Sequence, residues 1–121
     1  MIRIFVICVG KLKEKFYLDA CAEYAKRLSA YCKLELVELP EERLPKDPSR
    51  AQIDAALARE AAAIRVKLPA RCCVTALCVE GKPRSSEAFS AQLAAWTAAG
   101  EGTLAFVVGS SFGLDETFKR E

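Results

Sequence analysis

Thr103-Leu-Ala-Phe-Val-Val108, Gly109-Ser-Ser-Phe-Gly113 and Leu114-Asp-Glu-Thr-Phe-Lys-Arg-Glu121 follow one another at the end of the sequence. The first segment is an apolar run of the kind that forms a strand covered on both faces. The second, bracketed by glycines, predicts a tight turn, and the third predicts the start of a helix. This order brings backbone N–H groups to the end of the strand, at the positive end of a helix dipole. Glycine suits the turn because it accepts φ > 0 and lets a ligand approach the main chain.

Upstream, the same grammar repeats. Residues 2–9 are rich in Ile and Val and read as a buried strand, followed by the basic loop Gly10-Lys-Leu-Lys-Glu-Lys15. The spacing of Tyr17, Cys21, Tyr24, Leu28 and Tyr31 predicts a helix over about 15–32, its stripe packed on a sheet with Asp19, Glu23, Lys26 and Arg27 in water. Leu34–Leu39 predicts a second strand, closed by Pro40, and the charged, proline-rich segment from Glu41 to Ser49 a loop. A helix then runs to about Lys67, stopped by Pro69. Its start is either Asp47-Pro48, as cap and first position, or a capping box of Ser49 with Gln52. Ile53, Leu57, Ala61, Ile64 and Leu68 form its apolar face.

Cys72–Val79 reads as a third buried strand and Glu80–Ser86 as its turn, with Ser85 or Ser86 capping the next helix. Phe89, Leu93 and Trp96 share a face of that helix, and Gly100 suits its end. The resulting β-α-β-α-β-α-β-α order is the signature of a parallel α/β sheet with helices on both faces, in one domain over 1–121. In such a sheet every strand-to-helix loop emerges at the carboxyl edge, where ligands bind near a switch point. Gly10, Gly81 and Gly109 stand in three of these loops, which predicts a ligand site there.

Hydrophobic residues make up 52% of the chain and charged residues 28%, with a net charge of +2, the profile of a globular domain. No apolar run is long enough to span a membrane, and Met1-Ile-Arg-Ile-Phe-Val-Ile-Cys-Val reads as a strand rather than a signal peptide. A cytoplasmic protein is expected, and with it reduced thiols at the six cysteines, most of them packed as small hydrophobes in the core. Zinc is not expected, since the chain has no histidine and no C-x-x-C pair.

Gly109-Ser-Ser-Phe-Gly113 matches G-x-S-x-G, with Ser111 at the place of a hydrolase nucleophile. The chemistry fails, because that serine needs a histidine base and there is none. No Gly-Lys-Ser/Thr follows the turn, so it is not a P-loop, and the first strand lacks G-x-G-x-x-G. A turn that holds its ligand through backbone groups remains. Lys11, Lys13, Lys15, Lys82 and Arg84 put positive charge around the same edge, which suits a phosphate backbone. Lys11 and Lys13 are the candidate contacts to such a backbone.

Four blocks carry a family resemblance: Gly10–Lys15, Glu23–Glu35, Ala76–Lys82 with Ser85–Phe89, and Phe106–Leu114. In this order the chain resembles the ribosomal RNA large subunit methyltransferase H family, of the SPOUT class. The resemblance implies a knotted α/β homodimer that uses S-adenosyl-L-methionine. It also implies N3-methylation of a pseudouridine in 23S rRNA of the assembled ribosome. Leu77, Gly109 and Ser110 would line the cofactor pocket, with Ser111 and Gly113 of the same turn also binding the cofactor.

Two residues depart from the family pattern. Cys78 stands where Asp is usual, and Gly109-Ser110-Ser111 replaces Gly-Gly-Ser. A Cβ at Ser110 narrows φ there and would crowd the ligand. The family's Pro-His and Tyr-His-Lys motifs, in a further strand and helix that thread the knot, have no counterpart before Glu121. A C-terminally truncated domain is therefore expected, lacking the knot segment. The catalytic base is not identified among these residues. The competing expectations are a non-enzymatic flavodoxin-like module that binds a ligand or partner, or an inactive truncated family member.

Overall fold

Alternation along each strand decides which side chains meet which helix. The computed structural model describes residues 2–10, 14–69, 72–78, 81–98, 102–110, 113–115 and 118–119. Its strands are β1 (Ile2–Val9), β2 (Cys32–Leu39), β3 (Cys73–Leu77) and β4 (Thr103–Val108), and its helices are α1 (Lys15–Leu28), α2 (Arg50–Lys67) and α3 (Ser86–Ala98). The strands form one sheet in the order β2-β1-β4-β3, with every pair parallel. The parallel α/β sheet expected from the sequence is thus present, with β1 and β4 at its centre.

The connections from β1 to β2 and from β3 to β4 step one way across the sheet, and that from β2 to β3 steps back. Right-handed crossovers then put α1 and α3 on one face and α2 on the other. The contacts agree. Ala61 and Ile64 of α2 pack with Phe5, Ile7, Val9, Leu39, Ala105 and Val107 in the core. On the opposite face Phe89 of α3 meets the Phe106 ring edge-on at 5.8 Å, and Ala25 of α1 and Ser29 just past its end border one groove with Leu34 and Leu36.

The start of α2 is the capping box: Ser49 Oγ accepts from the Gln52 N–H at 3.2 Å, and Gln52 Oε1 from the Ser49 N–H at 2.8 Å. Ser85 caps α3, its Oγ accepting from the Ala88 N–H at 3.1 Å. Leu57, Ala61 and Ile64 are buried as expected, joined by Ala56 and Glu60, while Ile53 and Leu68 are half-buried. The expected Gly100 stop lies outside the described residues.

Helix α1 departs from its reading. It ends at Leu28, where Ser29 returns its N–H to the Ala25 carbonyl and its hydroxyl to the Lys26 carbonyl, and Cys32 opens β2 instead of closing the helix. The stripe expected to pack on the sheet does not: Tyr17 is 53% exposed, Tyr24 62% and Tyr31 77%, and α1 buries no residue. The reason is position. α1 rests chiefly on β2, the edge strand, and so lies over the margin of the sheet rather than its centre.

Cys8, Cys21, Cys32 and Cys78 carry free thiols. Cys32 is buried but Cys21 is exposed, so the expectation of core cysteines holds only in part. Among the described residues no helix is long and apolar enough to cross a membrane.

Candidate functional site

Across the last full row of the sheet, Glu38, Cys8, Val108 and Leu77 stand side by side on β2, β1, β4 and β3. Leu77 is therefore the lateral neighbour of the residue that precedes Gly109. Parallel pairing alone brings the third and fourth turns to adjacent strand ends, as the sequence reading required of Leu77 and Gly109.

The turn after β4 has a different logic from the one expected. The Gly113 N–H donates to the Ser110 carbonyl at 2.9 Å, and Gly113 has φ +90°. Among the described glycines the positive φ belongs to Gly10 and Gly113, not to Gly109. A Cβ at Gly109 would stand 2.5 Å from the Gly113 carbonyl oxygen and 2.9 Å from Leu114 Cγ. Glycine is needed at 109 because the returning chain fills that space, not because a ligand does. At Gly113 a Cβ would meet nothing within 4 Å, so the open side of the turn is there.

Past the turn, Leu114 and Phe118 join the α2-side core, and Arg65 lies over the Phe118 ring at 5.3 Å. Asp115 Oδ2 accepts from the Phe118 N–H at 3.1 Å, the cap of a helical turn where the sequence predicts a helix to begin. The Ser110 side chain faces the same core. Its Oγ donates to Glu60 Oε1 at 2.8 Å, and the second oxygen, Oε2, accepts from the Glu42 N–H at 2.9 Å. Glu60 is 6% exposed, a buried charge satisfied by donors from two loops. The Ser110 hydroxyl is thus engaged by α2.

Sequence reasoning missed Glu60. The signal was present, since Leu57, Glu60, Ala61 and Ile64 fall on one helical face and a lone acid in such a stripe asks for a partner.

After β3, the Gly81 N–H donates to the Cys78 carbonyl at 3.0 Å, closing the third turn. Leu77 is 55% exposed and borders a cavity of about 870 Å³ lined also by Thr75, Lys82, Arg84, Phe89 and Trp96. This cavity has an apolar floor and a basic rim. Among the described residues it takes in Leu77 and Cys78 but not Gly109, Ser110 or Gly113. Arg84 is steadied at the rim by Gln92, its Nη1 donating to Oε1 at 3.3 Å. A second hollow, of about 680 Å³, involves Cys32 and Lys33 at the amino end of β2, away from these loops.

After β1, Gly10 has φ +105° and its N–H donates to the Leu39 carbonyl at 2.7 Å. Lys11, Lys13 and Ser111 lie outside the described residues. On the α1 side of this edge, burial pushes the Cys8 thiol above its ordinary pKa, helped by the charges of Glu38 and Cys21.

With this edge in view, the comparisons with known proteins decide the family. A family model described as "Predicted SPOUT methyltransferase" matches residues 2–121. Ribosomal RNA large subunit methyltransferase H of Streptococcus equi subsp. equi (strain 4047) is 45% identical over 117 residues, covering 97% of this chain and 74% of the relative. The protein of that name from Limosilactobacillus reuteri (strain DSM 20016) is 46% identical over 111 residues, 92% of this chain and 70% of the relative. The chain belongs to this family of SPOUT methyltransferases. With that membership, the G-x-S-x-G pattern is not the elbow of a hydrolase. The expectation of a non-enzymatic flavodoxin-like module gives way to the family membership.

Proposed function

We propose that this methyltransferase modifies ribosomal RNA of the large subunit with S-adenosyl-L-methionine as methyl donor, at N3 of a pseudouridine in 23S rRNA. The observation that carries the reading is the pairing of Leu77 with Val108, which sets the third and fourth turns side by side at one sheet edge. The residues fit the cofactor. Leu77 offers an exposed apolar wall next to a roomy cavity, and the open side of Gly113 offers main-chain groups. Gly109, Ser110 and Ser111 complete the cofactor wall in this reading, with Gly109 shaping the turn rather than touching the ligand.

The bound sulfonium would supply the activated methyl group, so the protein contributes position and exclusion of water. Lys82 and Arg84 on the cavity rim, with Lys11 and Lys13 after β1, are the groups that would hold RNA phosphates. The exposed apolar side chains of α1 support a homodimer as the working unit, and an rRNA substrate implies the cytoplasm.

Isothermal titration with S-adenosyl-L-methionine, followed by transfer of labelled methyl to assembled ribosomes, tests the reading. Binding with label in 23S rRNA is expected. Binding without transfer identifies an inactive family member, and no binding overturns the cofactor assignment.

A further inference from the structure

A carboxylate is rarely left inside an apolar helix face, because burying its charge is unfavourable unless each oxygen finds a donor. Glu60 meets that condition with one donor from each of two loops. Oε1 takes the Ser110 hydroxyl from the turn after β4, and Oε2 takes the Glu42 N–H from the loop after β2. Its neighbours Ala56, Leu57, Ala61 and Ile64 are buried, so the carboxylate sits on the most firmly packed helix of the fold.

Among the described residues of the turn, few side chains can hold it. Gly109 and Gly113 have none, which leaves Ser110 as the tether among the described residues between Val108 and Leu114. On the other side, Glu41 lies beside Gly10, 3.6 Å from where a Cβ would stand there. The segment held through Glu42 therefore borders the first turn as well. Arg59 adds a second link to that segment through Glu42 Oε1 at 3.0 Å.

We infer that Glu60 is a positioning residue for cofactor binding, which sets the shape of the fourth turn through Ser110 and fixes it relative to the loop after β2. This rests on the proposed S-adenosyl-L-methionine reading. An acceptor on each side of the carboxylate is what the geometry requires. Glutamine meets the requirement in part: Oε1 accepts from Glu42 while Nε2 donates to Ser110 Oγ, since a hydroxyl can accept as well as donate.

The test compares the full chain with Ser110→Ala, Glu60→Gln and Glu60→Ala by cofactor titration and by hydrogen exchange at the Gly113 amide without cofactor. Ser110→Ala and Glu60→Ala should weaken S-adenosyl-L-methionine binding by about tenfold, the scale of one charge-assisted hydrogen bond. Both should speed Gly113 exchange, and Glu60→Gln should rescue both readouts. Ser110→Ala keeps the test intact if Glu60→Ala fails to fold. Unchanged affinity and exchange in Ser110→Ala, or Glu60→Gln as damaging as Glu60→Ala, overturns the role. If the parent chain does not bind the cofactor, the functional reading falls, and Gly113 exchange alone decides whether Glu60 holds the turn.

Discussion

On the face that α2 covers, Ile7, Ala105, Val107 and Ile64 have no exposed surface, whereas on the face carrying α1 and α3 neither helix buries a residue. The strands alternate equally well on both sides, so strand pattern does not explain the difference. Topology does. The β2-to-β3 connection crosses the whole sheet and carries α2 over the central strands, while the other two connections join neighbours and leave α1 and α3 over the margins. Small residues on α2, Ala56 and Ala61, let it approach the sheet closely. The proposed site draws on both faces: Ser110 is tied to the closed one, and Leu77 borders the cavity on the open one.

The sharpest way to break this contrast is a pair of truncations read by urea unfolding. Ile64→Ala should cost about 2–5 kcal/mol through its cavity and lost burial. Tyr24→Ala, at 62% exposure, should change stability by no more than about 0.5 kcal/mol. Comparable losses would mean that α1 is packed as tightly as α2.

Within the fourth turn, Gly109→Ala and Gly113→Ala separate crowding from backbone strain. Gly109→Ala drives a methyl into the Gly113 carbonyl and should destabilise by about 1–3 kcal/mol. Gly113→Ala enters open space at φ +90° and should lose about 1 kcal/mol, from strain alone. Thermal melting checks the order, and the reverse order would show that the chain does not return against Gly109.

Ser49→Ala removes one arm of the capping box on the helix that closes the core. A loss of about 1 kcal/mol is expected in the same melts. An effect near zero would show that packing alone holds the first turn of α2.

The smallest effect concerns Cys8, on the α1 side, and gauges how dry that face is. Its folded-state pKa is raised, so above the unfolded thiol value of about 8.5 the native chain retains a proton that the unfolded chain loses. Stability should therefore decline as pH rises through that window, until Cys8 itself ionises in the folded state. Cys8→Ala should flatten this decline in urea titrations across the alkaline range. An unchanged slope would place Cys8 in wetter surroundings than its burial implies.

Much of the architecture was legible because it is written locally. Ile2–Val9 and Thr103–Val108 declare buried strands by composition, Ser49 with Gln52 declares a helix start, and Pro69 follows its end. The tyrosines of α1 were misread for want of the same locality. Their spacing describes a helix face correctly, but what lies beneath that face depends on strand order, which no window of α1 contains.

By itself, then, the sequence determined the order of elements, the parallel sheet, the edge at which the glycine turns gather, and the family. Periodicity and turn chemistry act over a few residues, and similarity reads them all at once. Only the tertiary structure decided which face would close, why position 109 must be glycine, and that Ser110 would meet a buried carboxylate fifty residues earlier in the chain. Those outcomes come from contacts between distant segments, and a contact of that kind exists only after the sheet has set the loops side by side.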